Sequence, residues 1–431
     1  MNKQILQIAL PSILSNITVP LLALVDTSIA GHLGAAAYIG AIAIGGMLFN
    51  MTYWLFGFLR MGTGGLTAQA HGAGNEELCT QVLLRSLSMA VTISFILIVL
   101  QRPVLNIAFH FIDTTEEVRQ LSSIYFHILI WGAPAVLSLY GFTGFFLGKQ
   151  NAKVPMVIAI AQNIVNIAVS ATLVFAFHWE IAGVAVGTLV AQYAGVAMAV
   201  FVWYKKYWKK DGYIIWREVF NQKELEKFFN INRDIFLRTL CLIAVTTFFT
   251  SRGAAQGELT LAANTLLMQL FVMFSYIMDG FAYAGEAIGG KSFGANNANL
   301  FRNCAKHLFV WGATLATLFT LLYVALSSPL LHLLTNNALV IERALHYILY
   351  PCAIPFISFA AFLFDGLFIG TTSTRYMLLS MGIAAATFFI VLGCFPSTNH
   401  TLWAAFLSYL GCRGLIQLAL YPKVVKKMGK A

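Results

Sequence analysis

The sequence predicts an all-α polytopic membrane protein with twelve transmembrane helices in two six-helix lobes related by a parallel internal repeat. Three observations carry this reading. Of 431 residues, 59% are hydrophobic and 10% charged, with a mean hydropathy of +0.77, whereas soluble chains carry roughly 25% charged residues. Uncharged runs recur along the whole chain, from Gln4–Val25 to Tyr376–Cys412, and a bilayer crossing needs about 20 such residues. The two halves also match at one fixed offset.

The predicted spans, numbered 1 to 12, are 5–30, 37–70, 83–101, 121–147, 154–177, 181–204, 234–252, 260–290, 304–327, 343–369, 376–395 and 401–422. Lys3 precedes the first apolar run as it would in a signal peptide. No short apolar core ends in a small-residue cleavage site, however, so span 1 is read as a retained helix.

With the N-terminus inside, the inner segments collect 21 of the 27 Lys and Arg residues and the outer loops hold Arg102, Arg119, Arg252 and Arg343. The positive-inside rule therefore places both termini in the cytoplasm of a plasma (inner) membrane protein. The net charge of +10 is spread over flanks of successive spans. It implies anionic lipid as its partner and excludes a nucleic-acid surface. Residues 205–233, where Lys, Arg, Glu and Asp mix with Trp208, Ile214, Ile215, Trp216, Phe220 and Phe228, read as a cytoplasmic amphipathic linker. That linker separates an N-terminal lobe, 1–204, from a C-terminal lobe, 234–431.

Adding 222 maps Gly31 onto Gly253, Ala41 onto Ala263, Gly72 onto Gly294 and Tyr125 onto Tyr347. It also maps Phe142, Gly144, Phe146 and Gly148 onto Phe364, Gly366, Phe368 and Gly370, and Lys153 onto Arg375. Six spans per half is an even number, so the halves run the same way through the membrane. This is an arrangement of transporters, with substrate sites near the midplane, and it argues for alternating access in a monomer. A channel would more often be a ring of smaller subunits around a filter, and no filter motif recurs. No Gly-x-Ser-x-Gly, His-Glu-x-x-His or Gly-x-Gly-Asp occurs, which argues against an intramembrane enzyme. The six cysteines are scattered, suggesting neither disulfides nor a metal site, and no cofactor is implied.

Charge at bilayer depth is costly and marks candidate sites. Asp26 in span 1 has no basic residue nearby in sequence and reads as a group that loads and releases a proton. A structural carboxyl bound to a neighbouring helix is the alternative. In span 5, Asn163, Asn166 and Ser170 share a face with Gln162 on its flank, and in span 6 Thr188 and Gln192 are four apart. Such side chains either bind helices together or line a cavity; Gln162, Asn163, Gln192 and Tyr125 are carried forward as cavity residues. In the C-terminal lobe Asp279, Asp365 and Arg413 are candidates, with Asp279 or Asp365 as partner of Arg413. Pro11 and Pro20 lie within span 1, where each permits a bend or a static kink.

Several motifs resemble the multidrug and toxic compound extrusion (MATE) family, particularly its DinF-like branch. They are Leu10-Pro-Ser-Ile13, Val25-Asp-Thr-Ser-Ile-Ala-Gly31-His-Leu-Gly34, Gln69-Ala-His-Gly-Ala-Gly74, Leu147-Gly-Lys-Gln-Asn-Ala-Lys153 and Gly183-x-Ala-x-Gly-Thr188-x-x-x-Gln192. The resemblance spans the whole chain. It implies a V-shaped antiporter that expels hydrophobic, often cationic compounds in exchange for protons or sodium. Its coupling aspartate falls on Asp26, its Asn-x-x-x-Asp pattern on Asn166 and Ser170, its span 6 threonine on Thr188 and its bending proline on Pro11. Ser170 departs from the usual aspartate. The remaining single carboxylate favours a proton over sodium, which prefers several hard oxygen ligands. Lipid-carrier flipping is the alternative transport reading, but Arg60, Arg252 and Arg413 are too few for an arginine-lined cavity.

Overall fold

A computed structural model describes residues 1–33, 35–208 and 216–428, and among them no strand occurs. Among the described residues, twelve helices are long and apolar enough to cross a membrane. They begin with Asn2–Gly31, Ala36–Gly72, Glu76–Val99, Glu116–Gly148, Lys153–Ala176 and Glu180–Lys206. The second half repeats the count with Gln222–Ala254, Glu258–Gly294, Ala298–Ala325, Leu349–Gly370, Thr374–Cys394 and Asn399–Lys427.

The departures from the predicted spans have local causes. Span 7 starts at Gln222, twelve residues earlier than hydropathy placed it, because its first turns are polar. Span 3 likewise begins at Glu76, capped by the Asn75 side chain. Span 10 loses its predicted start, since Ala338–His346 is a separate short helix and the crossing opens at Leu349, with Pro351 near its start where no donor is needed. Span 2 is broken at Phe56–Gly57. Span 4 tightens into a single 3-10 turn at Ile130–Gly132, just before Pro134. In the predicted linker, Trp216–Val219 forms a helical turn; Ile214 and Ile215, like Gly34 of the span 1 motif, lie outside the described residues.

The repeat is visible in backbone geometry at the same offset of 222. Asn75 and Asn297 cap spans 3 and 9, each side chain accepting from a backbone N–H at 2.9 Å (Leu78 and Leu300). Gly74 and Asn296 share a left-handed φ of 73° and 51°, as do Gln150 and Thr372 at 59° and 48°. A Cβ on Gly148 would lie 2.8 Å from the Gly64 carbonyl oxygen, and one on Gly370 would fall onto the equivalent carbonyl of Glu286. Gly144 and Gly366 meet the carbonyls of Arg60 and Ala282 in the same way. These glycines let two helix backbones touch, which any side chain would prevent.

The chain forms two compact units, residues 11–228 and residues 229–431 with 1–10. The first has a core around Phe142, Phe145, Phe146 and Tyr207. The second is centred on Phe249, Tyr323, Phe388, Trp403, Phe406 and Tyr409.

Candidate functional site

Span 1 is one unbroken helix through both Pro11 and Pro20. It carries Asp26 on an inward face. Asp26 is 4% exposed, while Leu24, two residues back, is 63% exposed. Spans 5 and 6 supply its partners because they pack back to back. At Gly187 a Cβ would collide with Ser170, whose backbone N is 2.7 Å from the Cβ position.

The Thr188 hydroxyl donates to Asp26 Oδ2 at 2.9 Å, and Asn166 Nδ2 donates to Thr188 Oγ1 at 2.8 Å. Asn166 Nδ2 also reaches Ser170 Oγ at 3.4 Å. Asn166, Ser170 and Thr188 are all buried. The structure therefore joins the four residues that the resemblance assigned to ion coupling into one relay of neutral donors ending on a carboxyl. Among the described residues, Asp26 Oδ1 and Asn166 Oδ1 have no hydrogen-bond partner. The Thr188 hydroxyl has a second acceptor in reach, the Val184 carbonyl at 3.1 Å.

The other polar residues of this unit sit elsewhere. Asn163 Nδ2 reaches the Thr18 carbonyl at 3.2 Å and so ties span 5 to span 1. Gln162 Nε2 donates to the Ala191 carbonyl at 3.4 Å and lies against Gly195. Gln192 lies against Gly132, where a Cβ would strike its amide oxygen. Tyr125 is packed between helices in this structure. It is 4% exposed, with its ring on Gly45, whose lack of a side chain admits it.

In the second unit Asp365 accepts from Arg238 Nη2, Arg413 Nη2 and Gln417 Nε2, and all four residues are buried. Arg413 is thus paired with Asp365 rather than Asp279. Asp279 is half-buried and adds a second negative charge near Arg413. Arg238 corrects the charge count: it is a buried ion-pair partner inside span 7. Its signal in the sequence was a basic residue four positions into an apolar stretch. Arg85 was likewise counted as a flank charge, yet it is buried in span 3.

A family model described as MatE matches residues 11–172 and again 235–395. The chain is 34% identical to DNA damage-inducible protein F of Escherichia coli K12 over 98% of its own length and 92% of that protein's. It is 23% identical to multidrug and toxin extrusion protein 1 of Danio rerio, over 79% of this chain and 57% of the relative. The bent form of the Vibrio cholerae MATE transporter VcmN superposes with a TM-score of 0.87 at 18% identity, covering 99% of this chain and 97% of that one; at that identity it speaks for the fold alone. The matches to both halves, together with near full-length identity to a DinF protein, place the chain in the MATE family, on its DinF-like branch.

Proposed function

We propose that this protein is a proton-coupled antiporter that expels hydrophobic, often cationic compounds from the cytoplasm by alternating access, with Asp26 as the proton carrier. The observation that carries the reading is the Asp26 carboxyl, buried and, among the described residues, held by neutral groups. Unpaired charge there is costly, and a proton removes it. The relay gives each state its own hydrogen bonds. With Asp26 ionised, Thr188 donates to it. With Asp26 protonated, its O–H donates to Thr188 Oγ1, and the Thr188 hydroxyl turns to the Val184 carbonyl. Loading thus changes how span 1 is tied to span 6. The relatives named for multidrug and toxin extrusion support the substrate class.

Sodium coupling is the second reading, favoured by the two unpartnered oxygens, Asp26 Oδ1 and Asn166 Oδ1. Proteoliposomes given a pH gradient or a sodium gradient separately decide between them. Transport should follow the pH gradient and stay indifferent to sodium at fixed pH. Ser170→Asp, which places a second carboxyl beside the first, should raise sodium dependence or shift the pH optimum. Transport by the unmodified protein on a sodium gradient alone, with pH clamped by protonophore, would overturn proton coupling.

The same proposal sets the protein in the plasma (inner) membrane as a monomer with both termini cytoplasmic. In sealed cells an impermeant thiol reagent should label a cysteine at His178 and not one at Lys209. The reverse pattern would invert the topology.

A further inference from the structure

We propose that Arg85 is a positioning residue that fastens the strap Trp216–Phe228 to the N-terminal unit, so that the strap stays attached to it throughout the transport cycle. The proposal rests on the alternating-access reading above. Arg85 is 3% exposed although it lies near the predicted cytoplasmic end of span 3. Its Nε donates to the Val219 carbonyl at 2.6 Å, and its Nη2 to the Glu218 carbonyl at 2.8 Å and to Gln81 Oε1 at 3.3 Å. Nη1 lies 3.8 Å from Glu224 Oε2. Gln81 closes the ring by donating to Glu218 Oε2 at 2.9 Å.

Apart from Gln81, which lies one turn back on span 3, these partners belong to the segment joining the two halves. Glu218 and Val219 end the turn Trp216–Val219; the Glu218 carbonyl also accepts from the Asn221 N–H at 3.2 Å, and a carbonyl oxygen has a second lone pair for the guanidinium. The planar, five-donor guanidinium matches two successive carbonyls; a lysine ammonium lacks that fork. Val219 is wholly buried, while Trp216 and Phe220, stacked at 6.2 Å, are exposed. The strap therefore buries Val219 at one end and Phe228 at the other, and leaves the aromatic pair exposed. Three residues after Val219, span 7 begins at Gln222, and the N-terminal unit continues along it to Phe228. A charge whose position suggests a lipid contact is instead held by two backbone carbonyls, a glutamine amide and a nearby carboxylate.

The test combines Arg85→Gln with a reducible cross-link, made by a short bifunctional thiosulfonate that forms a disulfide at each end, between Gln81→Cys and Glu218→Cys, whose native side chains meet at their tips. In the Arg85→Gln protein the maximal transport rate per folded molecule should fall several-fold with KM for a cationic dye unchanged. Amide exchange over Phe220–Phe228 should accelerate, and Arg85→Lys should not restore either. The cross-linked double-cysteine protein should transport as its reduced form does, with reagent-treated wild type as control, and the disulfide-bonded link should rescue Arg85→Gln. Arrest of transport by the cross-link would mean that the strap must detach, and would overturn the proposal. So would a wild-type rate and wild-type exchange in Arg85→Gln. Exchange needs no substrate, so failure of the transport reading and failure of the strap are separately visible. Should Arg85→Gln not fold, the cross-link in the Arg85 protein still decides.

Discussion

Asp26→Asn is expected to reduce proton-driven efflux to background while the protein folds and inserts normally. The amide has the same shape and can accept the Thr188 donor through its oxygen, so the relay around it keeps its geometry. It neither takes up nor releases a proton, which fixes the site in one of its two states. Dye efflux in cells and gradient-driven uptake in proteoliposomes measure the loss, with size-exclusion profiles confirming folding. If the variant pumps against a gradient at the wild-type rate, Asp26 is not the coupling group. The search then passes to Asp279, because Asp365 is committed to two arginines.

The largest stability effect is expected at Asp365→Ala. That change leaves the Arg238 and Arg413 guanidiniums buried without their carboxylate, and breaking a buried ion network in this way costs about 3–5 kcal/mol. A loss of that size is a large share of the roughly 5–15 kcal/mol that holds a typical domain together. Thermal unfolding in detergent should show a marked drop in midpoint or no folded protein at all. Replacing Asp365, Arg238 and Arg413 together by leucine should recover much of the loss, since no orphan charge remains. A single Asp365→Ala protein melting with wild type would show that the network carries little stability.

The fold was legible because the membrane imposes a one-dimensional code: long apolar runs, basic flanks and a fixed repeat offset. Asp26 was legible for the same reason, a carboxyl inside such a run. What that code misses is direction. Arg85 and Arg238 lie near span ends, where charge counting assigns every base to the lipid surface, and nothing in the linear sequence says that each side chain turns inward. Span 7 was cut short because its polar first turns follow the helix, not the membrane. For Tyr125, Gly45 decides the outcome, 80 residues away and on another helix. Gln162 and Asn163 illustrate a further limit, as helical spacing puts polar groups on one face without saying whether that face meets a cavity or a neighbouring backbone carbonyl.

The duplicated glycine contacts sort what duplication preserved from what it released. Where two backbones touch, at Gly144 and Gly148 and again at Gly366 and Gly370, both copies keep the residue, because steric exclusion leaves no room to drift. The chemistry has not been kept in pairs. The counterparts of Asp26, Asn166, Ser170 and Thr188 at the same offset are Phe248, Phe388, Leu392 and Leu410, and the counterpart of Asp365 is Thr143. Two castings of one mould have thus been fitted with different settings for a carboxyl: among hydroxyl and amide groups in the first, and riveted between arginines in the second.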